Sequence, residues 1–597
     1  MFRNRLLFKL ICILVCLALS HPSVVWADQR QEWGVELDII KSCFKTKYVP
    51  FEWKQLHAGW DLEKDIAAAK LKVNSEECCS IKEFQSIVKE ILKGPLDYHV
   101  KPHFYATERA ELPFCVRSAN KRYFFSYIEK DSSLFLEPFP FEVGDELLTV
   151  DGVAVDILVQ NLSRQGFNLE TAARDGKLMQ EIELESLCNG VGHSQMAKDH
   201  PIANDSGSRD CVKLPSRAAV SRFNKPTDQM IAEVTFTLRF AELGDEVPQG
   251  VVTLVGMKKG KKEQVSCKVE WGYVPEYIFS NKKYDAVFAK GSSVIDDPMI
   301  MIGSKRGCLP FLGEPFWQAP KDYTFFAYLF HLDNKVIGVV RISTFGFESA
   351  GVAVEEFAEI IEKFQKEADC IVIDQMNNSG GCLLSMYALL SMLTDKPLQV
   401  PKHHVMIGDD EVYLAYKKIL GLEDIGSDDE AIKALGKEID GYPISFALIK
   451  SIQERMQEIL QEAKSFNRIS SPGYMYGISS IMPHPKVQLR KPVLCLINPI
   501  DMSCADFFPA ILQDNKRATL MGERTAGAGG AVSRITFPNG SGIRHIEMTT
   551  SMAVRPCGTI IENCGVSPDI EYIPTVDDLQ DNYVEYKTEI LNILREM

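Results

Sequence analysis

Apolar residues change their spacing along the chain, and the changes divide it. From Asp28 to about Lys93 they recur at helical intervals, with Ile81, Phe84, Ile87, Val88, Ile91 and Leu92 on one stripe before Gly94-Pro95 ends the run. From about Pro113 to Glu270 they fall in short strand-like runs, such as Tyr123–Ile128 and Val251–Val255, broken by turn residues. Within this unit Val143–Val155 predicts a strand, an Asp151-Gly152 turn and a second strand. Asn189–Asp228 is polar and irregular, as expected of an insertion, and Pro275–Pro320 mixes Gly, Ser, Pro and Lys like a linker.

The remainder alternates strands and helices. Val336–Ile342 predicts a strand, Val354, Phe357, Ile361 and Phe364 an amphipathic helix, and Cys370–Asp374 a buried strand, the order of an α/β layer. A charged helical insertion is expected over 409–466. Pro492–Asn498 reads as another buried strand, and Ile546, Met548, Thr550, Met552 and Val554 alternate as on a half-buried one.

Composition narrows the function classes. A chain of 597 residues with 46% apolar and 25% charged positions is a multidomain globular protein. Its net charge of -15 argues against nucleic-acid binding, because no Lys/Arg field is gathered for phosphates. Arg3, Arg5 and Lys9, the apolar run Leu10–Leu19 and the small-residue site Val25-Trp26-Ala27 predict a signal peptide over 1–27. That apolar run is shorter than the ~20 residues a spanning helix needs, so no stable membrane insertion is expected after its removal. The sixteen cysteines lack the regular spacing of a disulfide framework and read mostly as buried thiols. No zinc spacing occurs, and Pro102 breaks the helix that could align His99 with His103, so neither metal nor cofactor is expected.

Two segments could carry chemistry. Asp501-Met502-Ser503-Cys504 follows the strand ending at Asn498, placing Ser503 where a strand turns into a helix. A serine there can expose its hydroxyl while the Cys504 amide faces developing negative charge. An N-cap serine fits the same position, so placement alone leaves both readings open. Asp374–Gly381 is similarly a strand-to-helix turn, or an oxyanion hole in which an amide of Gly380 or Gly381 joins that of Cys504.

The motifs IVIDQMNNSGG, MSCADFF, MGERTAGAGG and IENCGVSPDIEY stand in the order and approximate spacing of tail-specific, or carboxy-terminal processing, serine peptidases, which the chain resembles. GDELLTVDG resembles the hairpin of the PDZ domains in such proteases. The resemblance implies a multidomain α/β protein: an N-terminal helical region (28–112), a PDZ-like β-rich domain (113–274) with an insertion near 189–228, a linker or self-cleaved segment (275–321), and an α/β catalytic domain of the crotonase-like ββα kind (322–597).

Many members of this family pair the serine with a lysine in a Gly-Lys-Gly element, but Ala528 occupies that position here. A serine hydroxyl needs a base, and histidine, with an ordinary pKa of about 6.5, is the usual substitute. Leu96-Asp97-Tyr98-His99 resembles the segment before the PDZ-like unit in the tricorn-like branch, and Ile561-Glu562-Asn563 resembles that branch's carboxylate motif. The resemblance thus implies Ser503 as nucleophile, His99 as general base, Glu562 as the group orienting it, and an oxyanion hole from Cys504, Gly380 and Gly381.

It further implies host-cell protein substrates, export by an intracellular bacterium, self-cleavage and a homodimer. Cleavage is expected between Pro275 and Ser304, although this stretch is shorter than the corresponding segment of the branch. The rival readings are a non-catalytic PDZ-type peptide-binding protein and a periplasmic protease trimming bacterial C-termini.

Overall fold

The computed structural model describes residues 22–75, 78, 80–163, 225–276 and 309–597. A seven-stranded sheet forms the C-terminal domain, in the spatial order Pro315–Gln318, Phe326–Leu332, Lys335–Arg341, Cys370–Asp374, Val493–Ile497, Thr519–Gly522 and Ile570–Glu571. Its last five strands are parallel, with Val340, Ile373, Cys495 and Leu520 in register. Strands 370–374 and 493–497 are buried at every residue, which explains their unbroken apolar runs: helices cover both faces. Ala350–Glu367, Leu383–Met392 and Cys504–Asp514 pack on one face, and Tyr586, Ile590 and Leu594 of the C-terminal helix on the other.

A separate sheet carries the PDZ-like unit, in the order Phe114–Ala119, Arg122–Ile128, Glu146–Val150, Val251–Met257 and Gln264–Glu270, with Val153–Ala154 paired to the third. Asp151 and Gly152 both take positive φ (48° and 78°), as the tight turn of a twisted hairpin requires. The second strand ends sooner than its sequence suggests. Val155 begins the helix Val155–Leu162, which buries Val155 and Val159, four apart, against Ala232 and Phe236.

Other expected boundaries shift as well. Of the insertion near 189–228, residues 189–224 lie outside the described residues, and its end opens the helix Lys225–Thr237. Residues 277–308 of the expected linker are likewise outside them, but Pro315–Gln318 is an edge strand on Phe326–Leu332, because Trp317 packs against the core of the sheet. The region 28–112 is not wholly helical: its helices end at Lys93, and Lys101–Phe104 pairs antiparallel with Ile543–Thr549. Ile543, Ile546 and Met548 thereby join the N-terminal core of Trp33, Phe44 and Phe84. The alternation over 546–554 breaks at Thr550, after which Ser551–Val554 pairs with Lys402–Val405. The charged insertion contains helices Asp409–Leu422, Asp428–Leu435 and Phe446–Ala463.

Residues 1–21, with most of the expected signal, lie outside the described residues, and the first helix, Pro22–Lys47, runs through Ala27. Among the described residues no helix is long and apolar enough to cross a membrane.

Candidate active site

Strands 370–374 and 493–497 lie side by side, and the loops leaving their carboxyl ends meet at the position where parallel sheets bind ligands. Buried side chains fasten the two loops together. Asn377 and Asn498 are bonded side chain to side chain (2.7 Å), and Asn377 N–H donates to Asn498 Oδ1 (3.0 Å). Asp501 accepts from Asn378 N–H (3.1 Å) and from Gln375 Nε2 (2.9 Å), while Met502 N–H donates to the Asn378 carbonyl (3.1 Å). Burial holds the Asp501 carboxyl well above the usual carboxylate range, despite these donors.

Ser503 precedes the helix Cys504–Asp514 at φ 58° and ψ -121°, a conformation that costs a non-glycine residue on the order of 1–3 kcal/mol and is held by its surroundings. Its N–H donates to the Ala528 carbonyl (3.0 Å). Ala528 in turn is fixed by Asp506, whose buried carboxylate accepts from the amides of Gly527 (2.9 Å) and Ala528 (3.0 Å). The Ser503 side chain caps no helical amide, although the residue occupies the N-cap position. Its hydroxyl is left for other work.

Gly380 (φ 100°) lies directly against the serine: a Cβ there would stand 2.7 Å from Ser503 Cβ and 3.1 Å from Cys504 N, so only glycine fits. The Gly380 N–H donates to Asn378 Oδ1 (2.8 Å). That amide is therefore occupied in this arrangement, and Cys504 N–H, which as the first helical amide has no intrahelical acceptor, is the better placed donor. Gly381 (φ 139°) is pressed against the Phe345-Gly346 backbone.

His99 stands on the turn between helix Ile81–Lys93 and strand Lys101–Phe104. Its N–H donates to Asp97 Oδ1 (2.9 Å), and Asp97 Oδ2 accepts from the hydroxyls of Tyr48 (2.8 Å) and Thr549 (2.7 Å). Burial, reinforced by Lys101 and Lys54 and opposed by Asp97 and Glu547, pushes the imidazole below its ordinary value of 6.5, so it is neutral at pH 7. Neighbouring Tyr98 packs with Met502, Ala526 and Ala528, which brings the histidine turn onto the serine loop.

Glu562 is buried on a turn tied to the same loop, since Asn563 N–H donates to the Gly527 carbonyl (2.7 Å). Its Oε1 pairs with the fully buried Lys54 ammonium (2.6 Å), which also contacts Asn563 Oδ1 and the Leu96 carbonyl. Burial and the nearby Asp97 charge push the Glu562 carboxyl up to about 8, with Lys54 pulling the other way. The structure thus gathers the three segments bearing His99, Ser503 and Glu562 around residues 525–528 without a hydrogen bond among the three side chains. His99 Nδ1 and Glu562 Oε2 are buried atoms with no hydrogen-bond partner.

Residues 336–572 match peptidase family S41, and residues 108–200 and 204–280 match the PDZ domain. An uncharacterised protein of Chlamydia muridarum is 32% identical over 94% of this chain and 92% of its own length. The chain belongs to peptidase family S41. A Chlamydia trachomatis protein is also 32% identical, over 94% of this chain and 92% of its own length. Mature CPAF, the chlamydial protease-like activity factor, superposes with a TM-score of 0.75 at 30% identity, covering 95% of this chain and 97% of that one. The S41 peptidase described here is a homologue of CPAF, and a serine peptidase.

Sequence reasoning missed Lys54, Asp97 and Asp506 in this S41 site. Asp97, two residues before the histidine, carried a faint signal as a side chain able to bond the backbone two positions on. Lys54 carried none, being one lysine among many until the fold buries it. Chemically, the assembly offers a freed hydroxyl, an available helix-terminal amide, a neutral imidazole and a buried carboxyl group, the parts that acyl transfer requires.

Proposed function

We propose that this S41 peptidase cleaves protein chains through Ser503 as nucleophile, His99 as general base and Glu562 as the carboxylate that orients the histidine. The observation that carries the reading is Ser503 itself: a strained serine at a helix N-terminus that caps nothing and faces the Gly380 turn. His99 takes the hydroxyl proton, Ser503 Oγ attacks the peptide carbonyl, and Cys504 N–H with Gly381 N–H steadies the oxyanion. Gly380 joins them once its amide leaves Asn378. The protonated His99 then gives its proton to the leaving amine, and water releases the acyl group by the same route.

Glu562 meets His99 Nδ1 when substrate is bound, the two atoms being those left without partners; catalytic hydrogen bonds commonly tighten only in the complex. A groove of about 790 Å³ beside Tyr98 and Met502, walled by Val150, Val153 and Ile231, gives an extended substrate its path from the PDZ-like unit. Likeness to mature CPAF supports the remaining proposals: export after signal removal, host-cell protein substrates, self-cleavage between Pro275 and Ser304, and a homodimer.

Labelling with a fluorophosphonate, which traps activated serines, tests the assignment. The modified peptide should contain Ser503, and labelling should vanish in His99→Ala, while a denaturing gel of the same sample shows whether the active chain is cut. Labelling at another serine would refute the nucleophile, and a fully active uncut polypeptide would refute self-cleavage.

The pH dependence follows from the lowered His99. Only the neutral imidazole accepts the serine proton, so activity falls as acid protonates it, and the acid limb of kcat/KM should have its midpoint below pH 6.5. A midpoint at or above 7 would show that burial does not govern this histidine in the free enzyme.

A further inference from the structure

Four residues beyond His99, the antiparallel register sets His103 opposite His545 and Lys101 opposite Glu547. The two imidazoles stack with centroids 4.3 Å apart, and the residues are only 8% and 5% exposed. The Nε2 atom of each is buried without a hydrogen-bond partner. The half-buried Glu547 carboxylate lies 3.5 Å from His103 Nε2 and 3.9 Å from His545 Nε2. One ligand atom from each of the three residues lies within 4.8 Å of the other two. Two buried nitrogens aimed at a carboxylate, with no hydrogen bond to satisfy them, call for a bound group.

A proton and a metal ion compete for this cluster, since against burial the Glu242 and Glu547 carboxylates raise His103 above its ordinary value. His103 Nδ1 is 3.1 Å from Glu242 Oε1, and Glu242 is held by Arg544. A neutral His103 donates Nδ1–H to that carboxylate, which turns the Nε2 lone pair toward His545 and Glu547; metal-binding histidines are commonly oriented in this way. The groups competing for Glu547 are Arg534, at 3.6 Å, and Lys101. Ligands about 2.0–2.1 Å from a tetrahedral ion lie about 3.3 Å from one another, so closing the site requires the two imidazoles to turn out of their parallel stack until both Nε2 lone pairs meet at one point.

We propose that His103 Nε2, His545 Nε2 and a Glu547 carboxylate oxygen form a binding site for a divalent transition-metal ion of the zinc class, with a fourth position open to solvent. The ion would staple the strand that follows His99 to the sheet contributed by residues 543–549, and would neutralise the Glu547 charge felt by His99. The site is independent of the catalytic assignment, and its test does not use turnover.

Full-length Ser503→Ala protein, stripped with chelator, is dialysed against micromolar zinc and its retained metal counted, with cobalt as a spectroscopic substitute. About one zinc per chain is expected, with cobalt giving the visible bands of a low-coordinate site. Glu547→Gln and His545→Gln should each weaken retention at least tenfold, and His404→Gln should leave it unchanged. Glu547 is partly exposed, so its variant remains informative should His545→Gln fail to fold. No retained zinc in the parent, or equal retention in the parent and Glu547→Gln, would overturn the proposal; the second result, like an empty parent site, would favour a His103 imidazolium shared by Glu242 and Glu547.

Discussion

Ser503→Ala is expected to lower casein hydrolysis by at least about 10⁴-fold, and His99→Ala by a similar factor, with both variants folded. The two groups act in one proton transfer, so the double variant should be little worse than either single one. Such non-additivity separates a catalytic pair from two residues that merely support the loops. Glu562→Gln should fall by about 10³–10⁴-fold, because an amide cannot stabilise the imidazolium. Unchanged turnover in Ser503→Ala would remove the nucleophile assignment. A loss for His99→Ala that multiplies fully with that of Ser503→Ala would instead remove the base assignment.

Lys54→Met is expected to carry the largest stability loss, about 3–5 kcal/mol, by leaving buried carboxylates without their cation. Lys54 is fully buried, pairs with Glu562 at 2.6 Å and helps hold Asp97 ionised. The deficit should also depend on pH. Glu562 is raised in the folded protein, so between its unfolded value near 4.5 and its folded value the native state holds the extra proton, and stability falls as pH rises. Lys54 is what keeps Glu562 from rising further, so the part of the Lys54→Met loss that Glu562 causes should grow as pH rises through about 8 and be small below it. Adding Glu562→Gln should restore part of it at pH 8. Urea unfolding across this range checks both, and a deficit under about 1 kcal/mol would mean that the carboxylates find other partners or water.

The parts of the site legible in the sequence are those whose chemistry and location are both local. Ser503 follows a five-residue apolar strand and opens a helix, and Gly380-Gly381 leaves the adjacent strand, so neighbouring residues alone place them. His99 and Glu562 had to come from family likeness, because nothing near either residue says that the chain will bring it to the serine loop. Asp97, Lys54 and Asp506 stayed hidden for a related reason: a charged residue reads as solvated until folding supplies its partners. His103 and His545 show the limit most clearly. Periodicity announced the strand carrying His545, but only the register decides which side chain faces it. Local ambiguity also misled, as at Val155, where an apolar run suited to a strand was claimed by a helix packing on its neighbour.

The ends bracketing the proposed cleavage region are firmly anchored. On one side Val274 exchanges two backbone hydrogen bonds with Arg109, and on the other Pro315–Gln318 is paired into the catalytic sheet. Because Lys101–Phe104 pairs with Ile543–Thr549 and the two segments share a core with the N-terminal helices, a cut between them would release neither piece. The nicked protein would keep the size and shape of the intact one on gel filtration and separate into two bands only under denaturation, so a column peak of unaltered volume says nothing about whether the protease has matured.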